Sequence, residues 1–286
     1  MRKNQIIAIA IAAIVVLAAF STWYSIANKD KPVSVILATT TSTQDSGLLD
    51  YILPDFNAKY GADVEVIAVG TGQALELGRN GDADVLFVHS PAKEIDFVDQ
   101  GYGLYRWTVM YNQFVIVGPA SDPACINGMA LAKDALEMIY NTNSTFCSRG
   151  DQSGTHTAEQ KLWTSAGYNY TGISAQSNSS WYLSLGQGMG DTLRTASEKQ
   201  AYTLVDEATW FNLESQLELE ILVKGDNLLF NQYGVIPVNG TMHPAINQDM
   251  AINLASWVTS PEIQAMINNY TINGKQVFTP NTDRGP

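Results

Sequence analysis

Three stretches of this chain concentrate hydroxyls and glycines directly after an apolar run: ATTTSTQDSGLL at 38–49, AVGTGQAL at 68–75 and SRGDQSGTHTAEQKLW at 148–163. Each reads as a strand, a short loop and a helix start. The first turn of a helix carries N–H groups without intrahelical partners and a partial positive charge, so a loop entering through Thr, Ser or Gly suits an anion. Ordinary helix capping asks for the same residues and accounts for any one junction taken singly. Three together, one with an arginine beside a glycine and two hydroxyls, point to a site. Arg149 is the strongest candidate for a fixed positive charge, because its planar donor fork matches an oxyanion. Asp151 cannot favourably face a dianion; it orients Arg149 or caps the following helix, and the sequence leaves both roles open.

Other chemistry is poorly supported. The chain has three histidines, and His89 and His156 lack carboxylate partners at metal spacing, so both are assigned to packing or hydrogen bonding, with no metal site and no cofactor. Ser153 invites a hydrolase reading, the weaker alternative, but it lacks the G-x-S-x-G elbow and a recognisable Asp and His pair. Trp107, Trp163, Trp181 and Trp210 are read as core or surface residues.

The junctions need elements to hold them. From Val33 onward short β-branched runs alternate with helical stretches, the pattern of an α/β protein with largely parallel sheets. Strands are expected at 33–37, 64–69 and 84–88, and helices at 48–59, 73–79 and 92–99, with Gly101 as a helix-ending glycine. Beyond the carboxyl ends of such strands lies the usual ligand crevice of an open α/β sheet. Phe114–Val117, followed by Gly118-Pro119, and Gly234–Val238 look like strands passing between two sheets. Between them helices are expected at 128–140, 155–166, 191–199 and 207–217. Helices at 249–258 and 262–269 would return to cover the first lobe. The expected division is 33–114 with 236–286 as a discontinuous lobe 1 and 115–235 as lobe 2.

The chain has 286 residues, 45% hydrophobic and 15% charged, enough for one large or two smaller cores. Its formal net charge of -12 excludes nucleic acid and an anionic membrane surface as partners, since either needs a basic face. It does not exclude an anion in a buried site, because distant charges are screened beyond about 8 Å. Residues 1–32 read as a signal peptide or N-terminal anchor: Arg2 and Lys3, an apolar run from Ile6 to Phe20, then Ser25-Ile26-Ala27. An extracytoplasmic location follows. In that compartment Cys125 and Cys147 are expected to form a disulfide, and Asn143, Asn169, Asn178, Asn239 and Asn269 are glycosylation candidates by triplet.

At these loops the sequence resembles the tungstate-binding proteins of Tup-type ABC transporters, which carry the TTTS run and an SRGD-x-SGTH segment. The likeness extends over VIAVGTGQAL, FVDQGYG, VMYN with FVIVGP, GQGMG at 186–190 and LEILVKGDNLLFNQYGV. The resemblance implies the type II periplasmic-binding-protein fold: two α/β lobes joined by two crossover strands, with the ligand in the cleft. It implies donors from Thr40, Thr41 and Ser42, with Thr71 and Gly72, in the first lobe, and from Arg149, Ser153, Gly154 and Thr155 in the second. Gln113 and Gln152 stand where the family pattern has Asp, and Glu207 where it has Arg, which puts the lobe interface in doubt more than the ligand contacts.

The implied function is a monomeric solute-binding protein, not an enzyme, that delivers tungstate, with molybdate inseparable from it by sequence, to a membrane permease. Phosphate is the rival ligand, because phosphate receptors of the same fold use a similar segment. Phosphate keeps a proton near neutral pH and its receptors present a carboxylate acceptor, whereas this chain reads His89-Ser90-Pro91 at that place. A donor-only cavity therefore selects against phosphate. Sulfate is smaller and would fit loosely.

Overall fold

A computed structural model describes residues 32–175 and 181–285. The N-terminal apolar run and the Asn178 triplet lie outside the described residues. The chain opens with β1 (Val33–Thr40), α1 (Thr41–Asp45), α2 (Leu48–Tyr60), β2 (Ala62–Val69), α3 (Thr71–Asn80), β3 (Val85–Val88) and α4 (Pro91–Asp99). It continues through β4 (Trp107–Gly118), α5 (Ala132–Asn141), β5 (Phe146–Ser148), α6 (Gly154–Ser165), α7 (Tyr170–Ser174), β6 (Tyr182–Ser184), α8 (Met189–Lys199), β7 (Tyr202–Asp206), α9 (Glu207–Leu213) and β8 (Glu220–Val223). It closes with β9 (Phe230–Pro237), α10 (Gln248–Val258), α11 (Pro261–Asn269), the hairpin β10 (Thr271–Ile272) and β11 (Lys275–Gln276), and β12 (Thr279–Asp283).

The sheet order is β2-β1-β3-β9-β4-β7-β5-β6, with β12 and β8 also on β4. β1 pairs in parallel with β2 and β3, and β5 with β6 and β7. The centre is antiparallel, through β3–β9, β4–β9 and β4–β7. The sheet is thus more mixed than alternating strands and helices foretell, because two long strands return through the middle. β4 is the link between lobes. Its Gln113 pairs with Phe230 of β9, and the next residue, Phe114, pairs with Asp206 of β7.

Each lobe has its own core. One is built from Val35, Leu37, Phe56, Val85 and Phe87 with Leu254, Trp257 and Ile263 of the returning helices. The other holds Phe114, Ile116, Leu136, Phe146, Trp163 and Tyr182. Helix ends follow local chemistry: Gly101, at φ 85, donates its N–H to Val98 O at 2.8 Å and ends α4. The helix expected from 128 begins only at Ala132, since Gly128 has φ 79. The one expected to reach 217 ends at Leu213 and tightens into a 3₁₀ turn at Glu214–Gln216.

The expected disulfide is absent. Cys125 is an exposed free thiol, and Cys147 is a buried one. Cys147 packs with Met189, Leu193 and Ala196 in a second apolar cluster of its lobe, while Cys125 sits in the turn before α5 at φ 54. Flanking a helix in sequence does not bring two Cβ atoms together. Burial pushes the Cys147 thiol up to about 12.

Candidate functional site

All three hydroxyl-rich junctions lie at carboxyl ends of strands. β1 leads into α1, β2 into α3, and β5 into the loop that opens α6. Thr40 caps α1: its Oγ1 accepts from Thr43 N at 3.3 Å. Ser153 caps α6, accepting from His156 N at 3.2 Å. Gly70 precedes α3 without a side-chain cap, so the first-turn N–H groups of α3 have no local acceptor of that kind.

The lobes meet at these caps. A Cβ on Gly154 would lie 2.7 Å from His89 Cε1 and 3.2 Å from Thr71 Oγ1, so α6 of one lobe abuts β3 and α3 of the other. His89 in turn touches the first junction: its Nε2 lies 3.1 Å from Thr40 Oγ1 and 3.4 Å from Ser42 Oγ. Further contacts span the cleft, with Lys93 Nζ donating to Thr157 Oγ1 at 3.1 Å and Lys275 Nζ to Glu214 at 2.7 Å. The cleft is therefore closed. Thr40, Ser42, Thr71, Arg149, Ser153 and Thr155 are all buried, and Thr41 is half-buried. Gly72 lines a cavity of about 620 Å³ with Gln73, Gly150, Asp151 and Gln152. Thr41 lines another of about 390 Å³ with Gly188, Asp191, Arg194 and Asn212.

Arg149 is 4% exposed. Its Nη2 donates to Asp151 Oδ2 at 2.6 Å, and Nη1 approaches Thr155 Oγ1 at 3.5 Å. Asp151 Oδ1 accepts from Ser153 N at 3.1 Å. Asp151 thus orients the arginine with one oxygen and steadies the α6 entry with the other. Among the described residues the three junctions hold four buried polar atoms without a partner: Thr41 Oγ1, Gln44 Oε1, Thr71 Oγ1 and Arg149 Nε. A buried donor left unpaired costs about 1–3 kcal/mol. The three of these that can donate, on Thr41, Thr71 and Arg149, come one from each junction and are matched by a ligand that offers only acceptors.

Sequence reasoning assigned His89 to packing or hydrogen bonding, which it does make, but did not place it at the junctions. Burial pushes its imidazole down to about 4, and the nearby Arg149 charge adds to the effect, so the ring is neutral at pH 7. Its Nδ1 lies 2.9 Å from Asn231 Oδ1, and the Asn231 amide donates to Asn112 Oδ1 at 2.7 Å. With Nδ1 protonated toward Asn231, Nε2 accepts the Thr40 hydroxyl, so Thr40 serves to set the junction. The signal was its place at the end of β3, beside the crevice. Asp206, at the end of β7, is buried with its carboxylate engaged by Thr209 N at 3.0 Å and Thr209 Oγ1 at 2.7 Å. Burial pushes this carboxyl up, while the Thr209 bonds and Arg149 pull it back.

Ser153 Oγ accepts from His156 N as a helix cap, and His156 Nδ1 accepts from Gln152 N at 2.8 Å, so that ring nitrogen is not turned to the Ser153 hydroxyl. Among the described residues no group of three or more His, Cys, Asp or Glu could hold a metal ion. Of the triplet asparagines, Asn143, Asn169 and Asn269 are exposed. The Asn239 amide is half-buried and donates to Gly101 O at 2.9 Å.

Residues 25–262 match a family model described as a PBP superfamily domain. The chain is similar to a putative ABC transporter anion-binding protein of Haloferax volcanii, 48% identical over 86% of this chain and 71% of that protein. It is equally similar to the tungstate-binding protein TupA of Peptoclostridium acidaminophilum, 48% identical over 87% of this chain and 86% of that one. The solved structure of the tungstate-binding protein TupA from Desulfovibrio alaskensis matches with a TM-score of 0.76 and 43% identity, covering 88% of this chain and all of that chain (100%). With two α/β lobes, crossover strands between them and this level of identity, the chain belongs to the PBP superfamily and, within it, to the TupA family.

Proposed function

We propose that the protein is the extracytoplasmic solute-binding component of an ABC transporter, capturing tungstate, and molybdate as its near twin in size and charge, for delivery to a membrane permease. The observation that carries this reading is the trio of buried, unpartnered polar atoms on Thr41, Thr71 and Arg149 within a closed cleft. A tetrahedral dianion supplies acceptors to all three at once, with the N-termini of α3 and α6 adding N–H donors. Thr40, Ser42, Gly72, Ser153, Gly154 and Thr155 complete the binding set in this reading. Thr40 and Ser153 act mainly by capping, which holds the junctions in shape.

Selectivity against phosphate follows from the acids near Arg149. Asp151 and Asp206 are held by Arg149, Ser153 N and Thr209, and the place after β3 carries the neutral His89 instead of a carboxylate that would take a phosphate proton. In this reading the protein is monomeric, residues 1–32 direct or anchor it outside the cytoplasm, and the lobes divide at 33–114 with 236–286 against 115–235. The pairing switch on β4 between Gln113 and Phe114 supports the first of those boundaries. The cleft opens about the crossovers to admit the anion and closes to exclude water, which strengthens every donor contact.

Calorimetric titration of a fragment starting near Lys31 with tungstate, molybdate, sulfate and phosphate tests the proposal. One-to-one binding of tungstate without turnover, and silence with phosphate, is the expected result. Binding of phosphate alone would overturn the donor-only cavity.

A further inference from the structure

A buried carboxylate lies behind the third junction, away from the cleft. Glu159, on the second turn of α6, is 2% exposed. Its Oε2 accepts from Ser148 Oγ at 2.6 Å, and its Oε1 accepts from Trp163 Nε1 at 3.1 Å and Tyr182 Oη at 2.8 Å. Tyr182 Oη lies 2.9 Å from Tyr170 Oη, which lies 2.6 Å from His156 Nε2. His156 Nδ1 accepts the N–H of Gln152 at 2.8 Å.

The proton directions in this chain are fixed at one end. A backbone N–H can only donate, so His156 Nδ1 is unprotonated and the neutral ring carries its proton on Nε2. That proton points to Tyr170, leaving the Tyr170 hydroxyl to donate to Tyr182, and the Tyr182 hydroxyl to donate to Glu159 Oε1. Gln160, whose amide lies 3.3 Å from His156 Nε2, must then present its oxygen. Trp163 N–H is also donor-only, so Oε1 stays an acceptor in either protonation state of Glu159. Any proton on the acid sits on Oε2 and reverses the Ser148 hydroxyl.

The two ends of this arrangement bracket Arg149. Ser148 is the residue before it, and Gln152 closes the tight turn after it. Gly150 stands at φ 64, where a Cβ would collide with Ser184 Oγ, and Gln152 stands at φ 60. A non-glycine residue in that region costs about 1–2 kcal/mol and persists only where its surroundings enforce it. The acceptor on Gln152 N is such an enforcement, one residue from both Asp151 and Ser153.

We propose that Glu159 is a positioning residue of the anion loop, acting on Arg149 directly through Ser148 and at a distance through Tyr182, Tyr170 and His156. The inference rests on the reading of residues 149–155 as the anion-holding segment. It assigns the chain a role in oxyanion affinity, although none of its side chains needs to touch the ligand.

The test compares the full soluble fragment with Tyr170→Phe, which removes one hydroxyl from a half-buried ring, with Glu159→Leu, which removes the acceptor at the head of the chain, and with Glu159→Gln as the conservative rescue. Glutamine keeps an acceptor for Trp163 and Tyr182 and turns an N–H toward Ser148. Tyr170→Phe and Glu159→Leu should each weaken tungstate binding about fivefold or more, the worth of one neutral hydrogen bond, while Glu159→Gln, which keeps the acceptor, stays within about twofold of wild type. Hydrogen exchange at Gln152 N–H, followed by NMR without ligand, should quicken in Tyr170→Phe and not in Glu159→Gln. Wild-type affinity and unchanged exchange in a folded Tyr170→Phe overturn the proposal, as does a failure of Glu159→Gln to retain what Glu159→Leu loses, which would make the charge and not the acceptor responsible. If wild type binds no oxyanion, the reading of the site is refuted, and the exchange result alone decides whether the chain holds the loop.

Discussion

Replacing Arg149 with Gln tests the site most sharply. The guanidinium is 4% exposed and makes a 2.6 Å ion pair with Asp151, and Nε has no partner. Removing one member of a buried charged pair costs about 3–5 kcal/mol, because the other charge stays desolvated and unpaired. In the bound state the dianion loses the same partner and faces the bared Asp151 carboxylate. The tungstate dissociation constant should therefore rise roughly a hundred- to several-thousand-fold. Asp151 is 20% exposed on its side chain, so part of its penalty is relieved by water, and the lower part of that range is favoured. The assay is calorimetric titration with tungstate, paired with Arg149→Gln/Asp151→Asn. The double variant should recover part of the loss, since the repelling carboxylate is gone. A single variant within about threefold of wild type would remove Arg149 from the ligand contacts and refute the reasoning.

Other consequences are open to measurement. Gly154→Ala places a methyl 2.7 Å from His89 Cε1, a ring pinned by Asn231. Such overpacking costs about 1–3 kcal/mol in the closed form, so tungstate should bind roughly 5- to 150-fold more weakly while each lobe keeps its own core. Small-angle scattering should show the variant staying open with the anion present. Native protein should take up a single maleimide adduct, on exposed Cys125, and a second only after unfolding, because Cys147 is buried with its thiol pushed up to about 12. Two adducts on the native protein would contradict that packing.

Stability should depend on pH through three buried groups. Burial pushes the carboxyls of Glu94 and Glu159 from 4.5 up to about 7, so the folded protein holds protons that the unfolded chain has released; their contribution is full below 4.5 and is lost as pH rises through 7. Arg106, 2.6 Å from Glu94, and the Ser148, Tyr182 and Trp163 donors on Glu159 limit the rise. His89 works in the opposite sense, being pushed from 6.5 down to about 4, so its contribution is full above 6.5 and is lost as pH falls through 4. Above pH 6.5 the carboxyls act alone, and the melting temperature should fall from pH 6.5 to 8. Calorimetry showing it rising there would contradict the burial of the two acids.

The alternating pattern from Val33 onward was enough to place most helices and strands, because periodicity and capping are local. Gly101 ends α4 for a reason visible in one residue, and the Ser153 cap is likewise a matter of near neighbours. The three hydroxyl-rich junctions were equally legible, since a strand followed by Thr, Ser or Gly and then a helix declares its own geometry. Which junctions face one another is a long-range matter. Only the folded chain brings Gly154 against His89 and Thr71, leaves Thr41, Thr71 and Arg149 with unpaired atoms, and shows Asp151 holding the arginine and the α6 entry together. The same limit explains the cysteines: an even pair in a chain read as exported invites a bridge, but strand β5 turns Cys147 into an apolar core that Cys125 never enters. His89 and Glu159 read alone as a stray histidine and a helix glutamate. Their roles depend on partners up to 142 positions away in the chain, and no local pattern in a sequence encodes distances of that kind.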